Sequence, residues 1–331
     1  MTAVSDTFTR ARSLSTFGPL GFGAANAGNL YTAISDEDAH VLFEAAWDAG
    51  IRYYDTAPHY GLGLSEERLG AFLQTKPREE FSLSTKVGRL LVPNEEFAGE
   101  PDPFDQFEVP ATRRRIVDYS PDGIRRSLED SLVRMGLDRI DNLYVHDPEQ
   151  HGAENTRSIL ESGIPAVCAL RDEGLVTRAG VGTGSVEAGR MAAAIGGVDL
   201  IMLAGRYTLL EQPAHPELIN DCRQAGIGII ATAQFNSGLL ATPTPSRDSH
   251  YEYLPVPDEK FDRAVRLAES CAAHGVELPT AALQFALQNP QVVAVVMGAA
   301  TGDQVRQNAA RMHEAVPDEL WADLRKQELI P

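Results

Sequence analysis

The chain has 331 residues, of which 43% are hydrophobic and 7% aromatic, a composition typical of a globular protein with a sizeable core. Its 47 acidic residues against 29 basic ones give a net charge of −18, which would repel a phosphate backbone and argues against nucleic acid as a partner. No run approaches the roughly 20 apolar residues of a membrane span, and the polar first 12 residues lack the apolar segment of a secretory signal, so we expect a cytoplasmic protein away from membranes.

Short runs rich in β-branched and aromatic residues alternate with longer amphipathic segments, the pattern of strand–helix units around a parallel sheet. Ser35 and Asp38 have nearly the spacing of a capping box, and Ser120 precedes Pro121 at another helix start. In chain order we predict strands at 18–25, 51–54, 81–87, 140–145, 176–182, 200–203, 227–231 and 292–297. Helices are predicted at 36–49, 66–74, 121–135, 156–173, 186–195, 216–224, 258–273 and 279–288.

Eight strands separated by helices predict one α/β domain over residues 1–331, a (β/α)8 barrel. A doubly wound open sheet is the alternative, which is disfavoured because no GxGxxG motif follows the first strand. The connections 88–119 and 234–257 are far longer than usual βα loops. Both begin at the C-terminal end of a strand, where barrels carry their active sites, so we expect them to enclose a substrate.

The three cysteines (Cys168, Cys222 and Cys271) lie far apart, each in a predicted helix. Their odd number and the lack of CxxC spacing argue against a disulfide framework and against a zinc site. We expect them to be small buried hydrophobic side chains. No clustered set of histidines and aspartates indicates another metal.

Four polar residues stand where predicted strands end. Asp55 closes "IRYYD", Tyr60 follows in "TAPHYG", Lys86 ends "FSLSTK" and His146 ends "IDNLYVH". Singly, each has an ordinary structural explanation, such as a turn cap, a packing residue, an exposed strand end or a hydrogen-bonded core histidine. Together they follow the second, third and fourth strands, and the strands of a parallel barrel end on one rim. We therefore expect the four side chains to share a site.

This combination suits proton transfer. A phenol has an ordinary pKa near 10, and an ammonium within hydrogen-bonding reach stabilises the phenolate and lowers that pKa. Asp55 would keep Lys86 charged and oriented, while His146 would donate to the substrate oxygen. Tyr60 is thus the candidate acid/base, with an apparent pKa expected below that of free tyrosine.

The segment "AWDAGIRYYDTAPHYGLGLSEERLG" resembles the first signature of the aldo-keto reductases. "STKVGR", "LDRIDNLYVHDPE" and "VVAVVMGAATGDQVRQN" are similar to their lysine, histidine and cofactor segments in order and spacing, so the resemblance runs from about residue 17 to about residue 308. "LAGRYTLLEQ" and "QFNSGLL" resemble the sugar-dehydrogenase branch, which holds L-fucose (D-threo-aldose) 1-dehydrogenases and pyridoxal 4-dehydrogenases. The implied fold is the same barrel.

The resemblance implies that the barrel binds an extended nicotinamide dinucleotide without a Rossmann unit and that the four residues above form a catalytic tetrad. Tyr31 and His59 are the candidate substrate contacts. The implied cofactor contacts are Gly23, Ala24, Thr183, Arg206, Phe235, Asn236, Ser237, Gly238, Leu239, Gly298, Ala299, Gln304 and Asn308.

Several positions depart from the better-known carbonyl reductases of the family. Gly182 and Thr183 stand where those enzymes hold the carboxamide with Ser-Asn. Ala204 replaces a glutamine, with Arg206 close by, and Thr232 replaces the tyrosine that stacks on the nicotinamide.

The turn after the last strand bears on the choice of cofactor. Gly298 and Gln304 fall where NADP-using relatives carry the lysine and arginine that hold the 2′-phosphate, and Arg306 is the nearby cation in the sequence. The resemblance therefore favours NAD over NADP. The backbone N–H groups of Gly298, Ala299 and Ala300 and the following helix start could still hold a phosphate.

The favoured function is oxidation of the cyclic hemiacetal of a small molecule, an aldose or pyridoxal, to its lactone. One alternative is a carbonyl reductase running in the opposite direction. A redox-sensing protein similar to channel β subunits of this fold is the alternative from another class, and the complete tetrad argues against it.

Overall fold

A computed structural model describes residues 9, 11–103, 106–252 and 254–331, and in it eight parallel strands close into a barrel. Each barrel strand pairs with the next one along the chain, and the last pairs with the first. This arrangement confirms the predicted barrel and excludes the doubly wound sheet. The strands are β1 (Leu20–Gly23), β2 (Tyr53–Asp55), β3 (Ser82–Val87), β4 (Ile140–His146), β5 (Val176–Thr183), β6 (Leu200–Ala204), β7 (Gly228–Thr232) and β8 (Val292–Met297).

Helices pack around the strands, and the eight predicted ones are found with shifts of a few residues at their ends. Ser35 caps its helix with the full capping box, since its hydroxyl accepts from Asp38 N at 3.0 Å. The helices are α1 (Asp36–Asp48), α2 (Leu64–Leu73), α3 (Pro121–Met135), α4 (Ala153–Asp172), α5 (Val186–Ile195), α6 (Glu217–Ala225), α7 (Asp258–Ala273), α8 (Leu278–Phe285), α9 (Gly302–Arg311) and α10 (Asp318–Lys326). The last two of these, α9 and α10, are not among the eight predicted ranges.

Two differences from the predicted elements matter for the site. The first strand stops at Gly23 because the chain turns into the short 3₁₀ helix Ala24–Gly28. The connection 88–119 holds an antiparallel hairpin, Arg89–Pro93 with Arg113–Val117. Its second strand, "RRRIV", lacks the alternation of apolar and polar residues that identifies a half-buried strand, so the pattern does not predict it.

The inside of the barrel is packed with side chains. Tyr53, Tyr144, Met202 and Ile230 belong to one buried cluster there, and Leu14 from the N-terminal segment joins it. A larger cluster lies between the strands and the helices. The polar N-terminal stretch that argued against a secretory signal lies largely outside the described residues. Among the described residues, no helix is long and apolar enough to cross a membrane.

Candidate active site

A cavity of about 550 Å³ opens at the C-terminal ends of the barrel strands. Both long connections contribute to its wall, the first through Gln106 and Phe107 and the second through Glu252. The cavity thus lies where the predicted loops were expected to enclose a substrate. The predicted site residues that line it are His59, Tyr60, Lys86, His146, Thr183, Arg206, Asn236 and Ser237.

Lys86 and Asp55 form a buried ion pair beneath the cavity. Lys86 Nζ donates to Asp55 Oδ2 at 2.6 Å and to the carbonyl of Thr56 at 2.8 Å, while the other carboxylate oxygen accepts from Ser84 Oγ at 2.5 Å. Burial acts to lower the pKa of Lys86, but Asp55 and then Tyr60 outweigh it and raise the pKa above its ordinary value. The ammonium is therefore held charged and oriented.

Tyr60 stands above this pair, with its ring centroid 4.7 Å from Lys86 Nζ and stacked on Phe107 at 6.0 Å. Burial raises the pKa of Tyr60 to about 12, although Lys86 acts to lower it. The expected pKa below that of free tyrosine is thus wrong for the protein alone. Burial removes the stabilisation that water gives to the phenolate. The ammonium of Lys86 restores only part of it, because that ammonium is itself paired with Asp55.

Two glycines let the loop that carries Tyr60 pack against the turn after β1. Gly61 has a φ of +61°, and a Cβ there would lie 2.3 Å from Gly28 O. A Cβ on Gly28 would lie 2.8 Å from the carbonyl carbon of Tyr60. No side chain fits between these backbones, so the position of Tyr60 depends on both glycines.

His146 ends β4 and lies across the cavity from the tyrosine, with its ring 6.0 Å from that of Tyr60 at an angle of 85°. Burial lowers its pKa well below the ordinary value, and the charges of Arg89 and Lys86 act in the same direction. The imidazole is therefore neutral and offers one N–H donor.

His59 and Tyr31, the two predicted substrate contacts, have different positions. His59 is buried in the cavity wall, and burial, with the charges of Arg89 and Arg115, lowers its pKa to about 2. Tyr31 is not among the cavity-lining residues and its side chain is 52% exposed, whereas its neighbour Leu30 lines the cavity. The backbone N–H of Tyr31 donates to Gln106 O at 2.7 Å, and Gln106 lines the cavity, so contact of Tyr31 with the substrate stays a prediction.

The cofactor contacts implied by the resemblance fall into two groups. Thr183, Arg206, Asn236 and Ser237 line the cavity. Arg206 is engaged there, since its Nε donates to Gly184 O at 2.6 Å and its guanidinium pairs with Glu211 and Glu252. The others lie outside the lining: Phe235, Gly238 and Leu239 in the loop after β7, Gly23 and Ala24 at the end of β1, and Gly298, Ala299, Gln304 and Asn308 after β8.

The residues at the end of β8 are held by local contacts. Gln304 Oε1 accepts from Ala300 N at 2.8 Å, and Asn308 is buried with its amide 3.3 Å from the sulfur of Met297. Arg306 donates to Asp303 Oδ1 at 2.6 Å. The arginine nearest to the turn is therefore paired with a carboxylate of its own helix.

Two amide side chains in the loop after β7 are buried, and one of them, Asn236, lines the cavity. Asn236 Oδ1 and Gln234 Oε1 are shielded from solvent and accept no hydrogen bond from any described residue. A buried polar atom without a partner is costly, and Asn236 lines the cavity. A ligand carrying N–H donors, such as the carboxamide of a nicotinamide, would satisfy it.

Sequence reasoning missed Arg89, Asp147 and Gln150, which border His146. Arg89 is buried and contacts His146 Nδ1 at 3.1 Å and Gln150 Oε1 at 2.8 Å. Burial raises the pKa of Asp147 to about 6. The available signal was the arginine in "STKVGR", three residues after Lys86. Within the described part of the chain, no cluster of histidine, cysteine and carboxylate side chains could hold a metal ion.

The chain resembles known proteins over most of its length. The model of the Aldo/keto reductase family matches residues 19–328. D-threo-aldose 1-dehydrogenase of Pseudomonas sp. is 53% identical over 313 residues, 94% of either chain. Pyridoxal 4-dehydrogenase of Microbacterium luteolum is 37% identical over 325 residues, again 94% of either chain. A solved aldo-keto reductase from Bacillus halodurans shares the fold with a TM-score of 0.73 at 24% identity, covering 95% of this chain and 92% of that one.

Proposed function

The chain belongs to the aldo/keto reductase family, and from that premise we propose that it oxidises the hemiacetal carbon of an aldose to a lactone with NAD. The proposal rests on one observation. Tyr60 lies between the buried Lys86–Asp55 pair and His146, and Tyr60, Lys86 and His146 line the same cavity. A phenol held in this way can exchange a proton with a substrate hydroxyl.

The proposed reaction begins with the hydroxyl of the cyclic hemiacetal beside Tyr60. Tyr60, as phenolate, takes the hydroxyl proton, and the C–O bond becomes a carbonyl as the hydride leaves the same carbon. His146, which is neutral, donates its N–H to that oxygen and orients it. Lys86 favours the phenolate, and Asp55 keeps Lys86 charged.

Members of this family are oxidoreductases that use nicotinamide dinucleotides, and the bound dinucleotide would supply the hydride acceptor. In this chain Asn236 and Thr183, which line the cavity, are the side chains that would hold the nicotinamide end. Gly298, Ala299 and the N-terminus of α9 would hold a phosphate through backbone N–H groups.

The preference for NAD is supported by the charges after β8. A 2′-phosphate near Gln304 would meet a neutral amide that already accepts from Ala300 N. The nearby guanidinium of Arg306 is paired with Asp303, whose carboxylate would repel the phosphate. A ribose 2′-hydroxyl carries no such charge.

An aldose is supported as the substrate by the name of the relative at 53% identity and by the polar rim of the cavity. Gln106, Asp147 and Gln150 line it beside His59. These groups can donate to and accept from several hydroxyls, which are the features of a sugar ring.

Initial rates with L-fucose, L-galactose, D-arabinose and pyridoxal, each with NAD and with NADP, test the proposal. We expect NAD-dependent oxidation of at least one of the aldoses, with a higher kcat/KM than that of pyridoxal. Faster turnover of pyridoxal would contradict the aldose assignment, and reduction of a carbonyl with no measurable oxidation would reverse the direction.

A further inference from the structure

Arg89 is a buried cation that contacts the candidate catalytic histidine. Its side chain is 5% exposed and NH1 lies 3.1 Å from His146 Nδ1. NH2 donates to Gln150 Oε1 at 2.8 Å and lies 3.5 Å from Asp147 Oδ2. The guanidinium thus joins the hairpin after β3 to the end of β4.

The chemistry of the two groups fixes the proton on the imidazole. A guanidinium has donors and no acceptor, and it stays charged at every relevant pH. Nδ1 of His146 must therefore be the acceptor, which leaves the single ring proton on Nε2. Nε2 is 3.3 Å from Asp147 Oδ2, a long contact.

We propose that Arg89 is a positioning residue that holds His146 as the neutral tautomer with its proton on Nε2. The Nε2–H can then donate to the oxygen of the reacting C–O bond. The identity of that oxygen rests on the proposed function, whereas the tautomer does not.

The groups that face His146 from the neighbouring elements support a neutral ring. Lys86 on β3 and Arg89 on the hairpin are cations, and His59 lies with its ring 6.0 Å away. Asp147 is the facing carboxylate, and Tyr60 is a neutral phenol at neutral pH. Together with burial, the cations and His59 lower the pKa of His146 well below its ordinary value.

The local backbone holds Arg89 against the histidine. Gly88 has a φ of +106°, and a Cβ there would lie 2.0 Å from the ring of Tyr119. The same tyrosine donates its hydroxyl to His146 O at 2.6 Å. The turn before Arg89 and the backbone of His146 are thus both fixed by Tyr119.

The test is the ¹⁵N spectrum of the full-length protein labelled at histidine, with the His146 signals identified by their loss in His146→Gln. In the parent protein we expect a bare Nδ1 and a protonated Nε2 between pH 5.5 and 8.5. In Arg89→Met we expect both tautomers of the neutral ring, because burial still lowers the pKa of His146. Arg89→Lys should keep the ring neutral, and Arg114→Met, which changes an exposed arginine of the same hairpin, should change nothing.

A protonated Nδ1 in the parent protein overturns the proposal even if no Arg89 variant folds. An unchanged His146 spectrum in a folded Arg89→Met protein overturns it as well. The kinetic readout is a fall in kcat of about tenfold in Arg89→Met, as for one lost hydrogen bond to the reacting oxygen, with an unchanged Kd for NAD. If the spectra are as expected and the protein oxidises no aldose, the tautomer assignment holds and only the proposed function is rejected.

Discussion

The ammonium of Lys86 lies 2.6 Å from Asp55 Oδ2, and side chains of both residues are almost fully shielded from water. Neither charge has an alternative solvent partner, so each depends on the other. A buried ion pair adds little to stability as a whole, but removing one partner leaves a charge in a poorly solvating environment.

We expect Asp55→Ala to destabilise the protein by about 3–5 kcal/mol, the usual cost of stranding a buried charge. Asp55→Ala combined with Lys86→Met should recover much of that loss, because no charge then remains. Denaturant unfolding of the two single variants and the double variant gives the coupling energy. Additive losses would show that the pair does not act as a unit.

Tyr60→Phe removes the proposed proton carrier and keeps the ring stacked on Phe107. We expect kcat to fall by about 10²–10⁴-fold, the usual contribution of acid/base catalysis. Cofactor affinity, measured by fluorescence titration, should stay nearly unchanged. Activity within about tenfold of the parent, well short of that usual loss, would remove Tyr60 from the mechanism.

The oxidation rate should rise with pH. Oxidation needs the phenolate, and since burial raises the pKa of Tyr60 to about 12, the phenolate fraction still increases through pH 7–10. We expect kcat/KM to rise over that range without a plateau. Lys86→Met should lower the rate at pH 9, because loss of the ammonium raises the tyrosine pKa further. A flat profile for a rate-limiting chemical step would contradict a tyrosine base.

The cofactor preference should respond to the residues after β8. We expect the parent to show a higher kcat/KM with NAD than with NADP. Gln304→Arg should improve NADP use by about tenfold for each 1.4 kcal/mol recovered, and Asp303→Asn should add to it by removing a negative charge. A parent enzyme that prefers NADP, with the preference reversed in Arg306→Ala, would assign the 2′-phosphate to Arg306 instead.

Gly61→Ala should be strongly destabilising, because its Cβ would lie 2.3 Å from Gly28 O in addition to the strain of a φ of +61°. Gly50→Ala is the matched control, with a φ of +81° and no atom within 4 Å of the added Cβ. We expect the control to lose about 1–2 kcal/mol, the strain alone, and Gly61→Ala to lose more and most of the activity. Equal changes in Tm would show that the loop relaxes.

The barrel and the neighbourhood of the tetrad could be predicted from the sequence. The alternation of strand and helix patterns is a local signal, and parallel strands must end on one rim, so Asp55, Lys86 and His146 had to lie near one another. No comparable signal places Tyr31, which is exposed and whose backbone N–H donates to Gln106 O.

The electrostatics of the site were decided by the tertiary structure. The pKa of Tyr60 depends on how completely folding removes water from its phenol. The residues next to Tyr60 in the sequence do not predict this degree of burial. Arg89 and His146 are 57 residues apart, and they meet because β3 and β4 pair in parallel with Val87 opposite Val145, so both residues follow the same end of the barrel. The sequence therefore determined which groups share the rim of the barrel. Their protonation was determined by packing, because a pKa depends on burial and on charges that are near in space and distant in the sequence.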